Sequence, residues 1–207
     1  MYDTFKKSKI IQFTFSLLII TISSIIVLFV HYYSHILITV EYSSTYALKS
    51  FPINQEYAKC IYDKNIPFSI IAGPLSILLL ALISTVLLIK FPKNQFFASI
   101  GIISSSSRIG QSLLLLSQLL ILRYKPTIIN DEWMILSQMN FNDMSAAVLI
   151  LFFYIIFLSV LLIISIKSYQ SEPIMKWSFV IFSILIQIPV NFFLTDDITQ
   201  FILNEIL

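Results

Sequence analysis

Residues 146–166 read AAVLILFFYIIFLSVLLIISI, a run with no charge, no proline and no glycine. Wound as a helix at about 1.5 Å per residue, it crosses the roughly 30 Å hydrocarbon core of a bilayer. Four further runs have the same character: 10–30, with apolar positions continuing through Ile36, Leu37, Ile38 and Val40, then 67–89, 96–122 and 174–194. A membrane β-barrel would show alternating segments of about ten residues rather than long continuous ones. The expected fold is therefore all-α, an integral membrane bundle of five transmembrane helices in a single domain.

Composition agrees. Of the 207 residues, 57% are hydrophobic and 12% are charged, against roughly 45–50% and 25% in soluble domains. A soluble fold of this size cannot hide so much apolar surface. The net charge of +2 is too small to draw in nucleic acid. One cysteine excludes an internal disulfide and any cysteine-rich metal centre, and three glycines exclude a phosphate-cradling loop. No cofactor is implied. The start, Lys6-Lys7-Ser8-Lys9 before an apolar run, has too long a hydrophobic region for a signal peptide and no small-residue cleavage site after it. It reads as a retained first span.

Basic residues set the expected orientation. With the N-terminus inside, the inner segments hold Lys6, Lys7, Lys9, Lys90, Lys93, Lys167 and Lys176 against Asp3 and Glu172. The outer segments hold Lys49, Lys59, Lys64, Arg123 and Lys125 against nine acidic residues, among them Glu41, Asp63, Asp196 and Asp197. The bias points to a cytoplasmic N-terminus and an outside C-terminus, with the plasma membrane as the default location. Short inner loops at 90–95 and 167–173 make antiparallel hairpins of the second and third spans and of the fourth and fifth. The outer segments 31–66 and 123–142 carry tyrosines and Trp133, suited to the headgroup level. From Asp196 the tail places Ile198, Phe201, Ile202 and Ile206 near one helical face, with Asp196 or Asp197 as N-cap; this fits a short amphipathic helix on the outer leaflet or a simple packed end.

The chemistry concentrates in the third span. Ser104, Arg108, Gln111, Leu115 and Gln118 recur at spacings of four and three, one helical face. A charge near the bilayer centre costs at least about 2.5–3.5 kcal/mol, so this face should point into the bundle. The small residues Gly101, Ser105, Ser106 and Gly110 should admit close helix packing. No span holds a central carboxylate, which leaves Tyr154, Gln187 and Asn191 as candidate neighbours of Arg108. Two readings follow. Arg108 binds an anionic ligand with Ser104, Gln111, Gln118, Tyr154, Gln187 and Asn191, or it is satisfied by neutral groups and holds the bundle in register. His31 and His35, at i and i+4, could share a metal with a third ligand from Glu41, Cys60 or Asp63; the bland alternative is an amphipathic pair at the interface. Pro74 and Pro189 interrupt the second and fifth spans, as broken transporter helices or as simple kinks.

The stretches Phe97-Ala98-Ser99-Ile100, Ser107-Arg108-Ile109-Gly110-Gln111 and Lys167-Ser168-Tyr169-Gln170-Ser171-Glu172-Pro173-Ile174 resemble a family of prokaryotic multi-pass membrane proteins of unknown function. The resemblance implies a fold of five or six spans and brings no activity.

Enzyme classes lack their residues. The serine run has no histidine beside it and no nucleophile-elbow context, and an intramembrane aspartyl pair is missing. The expected function is a non-enzymatic membrane subunit or accessory factor that packs with membrane-protein partners or lipids. The alternative is a small carrier or receptor holding an anion at Arg108. A third option is an outer-leaflet lipid enzyme using His31, His35 and Asp63.

Overall fold

The computed structural model describes residues 2–42, 67–122 and 144–201. These fold into helices α1 (Tyr2–Tyr42), α2 (Pro67–Lys90), α3 (Gln95–Leu122), α4 (Met144–Ser168), α5 (Pro173–Leu185) and α6 (Gln187–Phe201), with no strand among the described residues. Helix α3 packs against α1, α2, α4 and α5, so the span that carries Arg108 sits at the centre of the bundle.

The surface is apolar, and the interior mixes small hydroxyl residues with apolar ones. On α4, Leu149, Ile150, Phe152, Phe153, Ile156, Phe157, Val160 and Ile163 are all exposed. Inside lie Ser16, Ser23, Ser84, Thr85, Ser99, Ser104, Ser105, Ser112, Ser165 and Ser183, alongside an apolar cluster around Ile20, Ile77, Ile102 and Ile103. A contiguous apolar exterior on this scale is unfavourable in water and favourable in hydrocarbon. Small hydroxyl residues suit helix interfaces in lipid, because they let backbones approach and can return their hydrogen bond to their own helix. Thr85 does both, donating to the Ala81 carbonyl at 2.7 Å and meeting the Ser165 hydroxyl at 2.8 Å.

Four segments are long and apolar enough to cross a membrane: Ile10–His35, Ile71–Lys90, Val148–Ser168 and Pro173–Asn191. The remaining expected span, the third, 96–122, is the helix α3, 28 residues long. It falls outside that set because its serines, Arg108 and glutamines lower its apolarity. Its neighbours cover much of it, so it needs less apolar surface of its own.

Polar contacts set the direction of the helices. Along the α1–α3 seam Ser16 donates to Gln95 Oε1 at 3.2 Å, the Ser23 and Ser99 hydroxyls lie 2.5 Å apart, and His31 meets Arg108. Residue numbers rise together on both helices, so α1 and α3 run parallel. The two short connections meet at one end, where the Gln170 N–H donates to the Pro92 carbonyl at 2.7 Å. Lys90, Lys93, Lys167 and Lys176 therefore share an end with the early part of α1, as the inner-loop grouping requires.

Local chemistry explains the connections. Asn94 caps α3, its Oδ1 accepting from the Phe96 and Phe97 N–H groups at 3.0 and 3.1 Å. Pro173 opens α5, where a missing N–H costs nothing. Helix α2 runs unbroken through Pro74. The stretch expected as one span at 174–194 is divided into α5 and α6 by a turn at Ile186. Pro189 has no N–H to offer the Leu185 carbonyl, yet helical bonds continue from Ile186 to Phe182 and from Val190 to Ile186. This is a kink rather than a break. A separate tail helix capped by Asp196 or Asp197 is corrected as well. Both residues lie inside α6, which continues to Phe201 because no proline or glycine follows Pro189; residues 202–207 lie outside the described ones.

Candidate functional site

Helix α3 carries Arg108 at its fourteenth position, about 20 Å along the axis from Gln95. The arginine is 3% exposed. Its Nη1 donates to Gln111 Oε1, one turn further on, at 2.8 Å. Its Nη2 lies 2.6 Å from Nδ1 and 2.8 Å from Nε2 of His31 on α1. A neutral imidazole has one lone-pair nitrogen, so His31 accepts one bond from the guanidinium and must be uncharged to do so. A charge-assisted bond of this kind is stronger than one between neutral groups. The pairing is the feature that sequence reasoning missed, since the two residues lie 77 positions apart.

His35 stands behind His31, 2% exposed, with the two rings 4.6 Å apart and nearly perpendicular. Gly73 on α2 makes room for both. A Cβ there would come within 2.5 Å of His31 Cε1 and 2.6 Å of its Nδ1, and closer still to His35 Nε2. The glycine is therefore a requirement of close approach. Gly101 has a similar role between α2 and α4, where a Cβ would stand 2.9 Å from Ser165 Oγ. Gly110 departs from expectation: a Cβ there would meet nothing within 4 Å, so no helix packs against it among the described residues.

The remaining candidates scatter along the same core. The hydroxyl of Ser104 is fully buried with no hydrogen-bond partner among the described residues, and so are those of Ser105 and Ser112. Gln187 is nearly buried; its Nε2 donates to Ser106 Oγ at 3.2 Å, while its Oε1 finds no partner among the described residues. Tyr154 on α4 and Asn191 on α6 are half-buried. Gln118 lies on α3 with its side chain outside the described ones. For the metal reading, Glu41's side chain, Cys60 and Asp63 lie outside the described residues. Among the described residues no group of three histidine, cysteine or carboxylate side chains could hold a metal. The guanidinium also places positive charge against the His31 edge, where a cation would have to bind.

No family model, no curated protein and no solved structure matches this chain. The likeness to the multi-pass family gains no matching model, and the site is read from its own geometry.

Proposed function

We propose that the chain is a non-enzymatic multi-pass membrane protein, a subunit or accessory factor that works by packing beside partner proteins and lipids. Its N-terminus is cytoplasmic and its C-terminus outside, at the plasma membrane. One observation carries the reading: Arg108, the charge that a ligand would need, is engaged by His31 and Gln111 within the bundle. Such an arginine ties α1 to α3, and the outward chemistry is left to the apolar faces of α1, α2 and α4.

A second reading keeps a specific observation in its favour. Ser104, Ser112 and Gln187 offer buried polar atoms without partners among the described residues, near the same helix face. Gln111, an exposed residue beside the open side of Gly110, would form the mouth of such a site. On this reading the chain is a small carrier or receptor, and an anion replaces Gln111 on the guanidinium.

Gentle-detergent purification from the native membrane, followed by mass spectrometry of everything retained, separates the two. Stoichiometric proteins are the expected result. A lone polypeptide carrying one anionic metabolite would overturn the subunit reading and favour the receptor.

A further inference from the structure

The end of the bundle where the two short loops meet has a chemistry that the polar core does not explain. Lys90, at the close of α2, lies with its Nζ 5.7 Å from the Phe91 ring centre. Lys93 in the first loop and Lys167 at the end of α4 are exposed, and Lys176 is half-exposed in the first turn of α5. Among the described side chains this end carries a single carboxylate, Glu172. Set among the lysines are apolar groups that face outward: Ile174 at 82% exposure, Trp177 at 56%, and the rings of Phe91 and Phe96.

The platform beneath them is rigid. Tyr169 is buried, its ring 5.0 Å from that of Phe179. Its hydroxyl is hydrogen-bonded by the side chains of Ser171 and Gln95, and Gln95 in turn bonds Ser16 of α1. With Gln170 bonded to Pro92, α1, α3, α5 and the two short loops are tied together at this level. The lysines therefore stand on a preformed surface at the height where α2, α4 and α5 begin or end.

We propose that this rim is a docking surface for acidic phospholipid headgroups. The assignment rests on the membrane-spanning reading and adds the headgroup class. Charge complementarity selects the occupant: lysine ammoniums meet phosphate as compact point charges, and an anionic leaflet attracts basic residues at its surface. The exposed Trp177 and Ile174 argue for lipid over a soluble acidic protein, since an indole and an isoleucine beside lysines match the boundary between headgroup and acyl chain.

Trp177 makes the test direct. The protein has two tryptophans, so Trp133→Phe leaves Trp177 as the sole reporter. The full chain is reconstituted in vesicles containing either brominated phosphatidylglycerol or brominated phosphatidylcholine, and quenching of Trp177 is compared. The expected result is stronger quenching by the acidic lipid, declining as salt is raised. Each lysine near the surface contributes about a fivefold factor in affinity, so Lys90→Gln, Lys93→Gln, Lys167→Gln and Lys176→Gln combined should bring the ratio close to unity. Equal quenching at low salt, or a preference unchanged in the combined variant, would overturn the headgroup assignment alone. No quenching by either lipid would overturn the membrane placement of this end as well.

Discussion

At the scale of single residues, two glycines separate space from propensity. Gly73→Ala drives a methyl into the His31 and His35 rings and should cost about 1–3 kcal/mol through overpacking. Gly110→Ala meets nothing within 4 Å and should stabilise the helix by about 0.5–1 kcal/mol. Thermal unfolding of the two variants in detergent, one lower and one equal or higher than the parent, checks both. Tyr169 supplies a pH dependence. Burial holds its phenol above the ordinary value of 10.0, partly offset by the hydrogen bonds from Ser171 and Gln95. Below pH 10 the group is neutral in the folded and the unfolded chain alike, and its contribution is intact. As pH rises beyond that, the unfolded chain loses the proton first, so stability falls until the raised folded value is passed. Tyr169→Phe should flatten that alkaline decline in a pH series of unfolding measurements.

At the scale of elements, the hydroxyl contacts between helices are individually small. Thr85→Val removes the bond to Ser165 and should cost about 0.6 kcal/mol, the average for such contacts in membrane bundles. Pro189→Ala should restore an N–H donor to the Leu185 carbonyl and straighten the junction of α5 and α6, seen as a lengthened distance between spin labels placed at the two ends. Much of this level was legible beforehand. The apolar runs locate helices, four of them in segments long and apolar enough to cross a bilayer, because a bilayer demands long uninterrupted segments, and the short loops with Pro92 and Pro173 announce the two hairpins. What could not be read is the register between helices. His31 looked like an interfacial residue because it follows the first apolar run, yet α1 continues to Tyr42 as one 41-residue helix and carries that histidine to the level of Arg108. Only the packing of α1 on α3 decides that meeting, and spacing along one chain holds no trace of it. The kink at Ile186 was partly legible, since Pro189 reads as either a kink or a break and the helical bonds that continue past it decide for the kink.

At the scale of the whole molecule, the bundle turns apolar residues outward and hydroxyls inward, with α3 at its centre and Arg108 tied to α1. The arrangement joins helices through buried hydroxyl contacts and leaves an apolar exterior. A further expectation follows for the two short loops. In a Cys60→Ser background, single cysteines placed at Lys93 and Ser171 should react with a membrane-impermeant thiol reagent from the same side of the membrane, the cytoplasmic one; labelling from opposite sides would break the fold's topology. The central claim is that Arg108 is a structural hub rather than a group held ready for a ligand. A double-mutant cycle on thermal stability tests it most directly, using Arg108→Leu, His31→Ala and their combination. The account predicts that each single change lowers stability, because it leaves a buried partner unpaired. The pair should then lose less than the sum, with a coupling of about 0.5–3 kcal/mol. An Arg108→Leu protein as stable as the parent or more so would contradict the account, because removing a desolvated charge that serves only a ligand stabilises the fold.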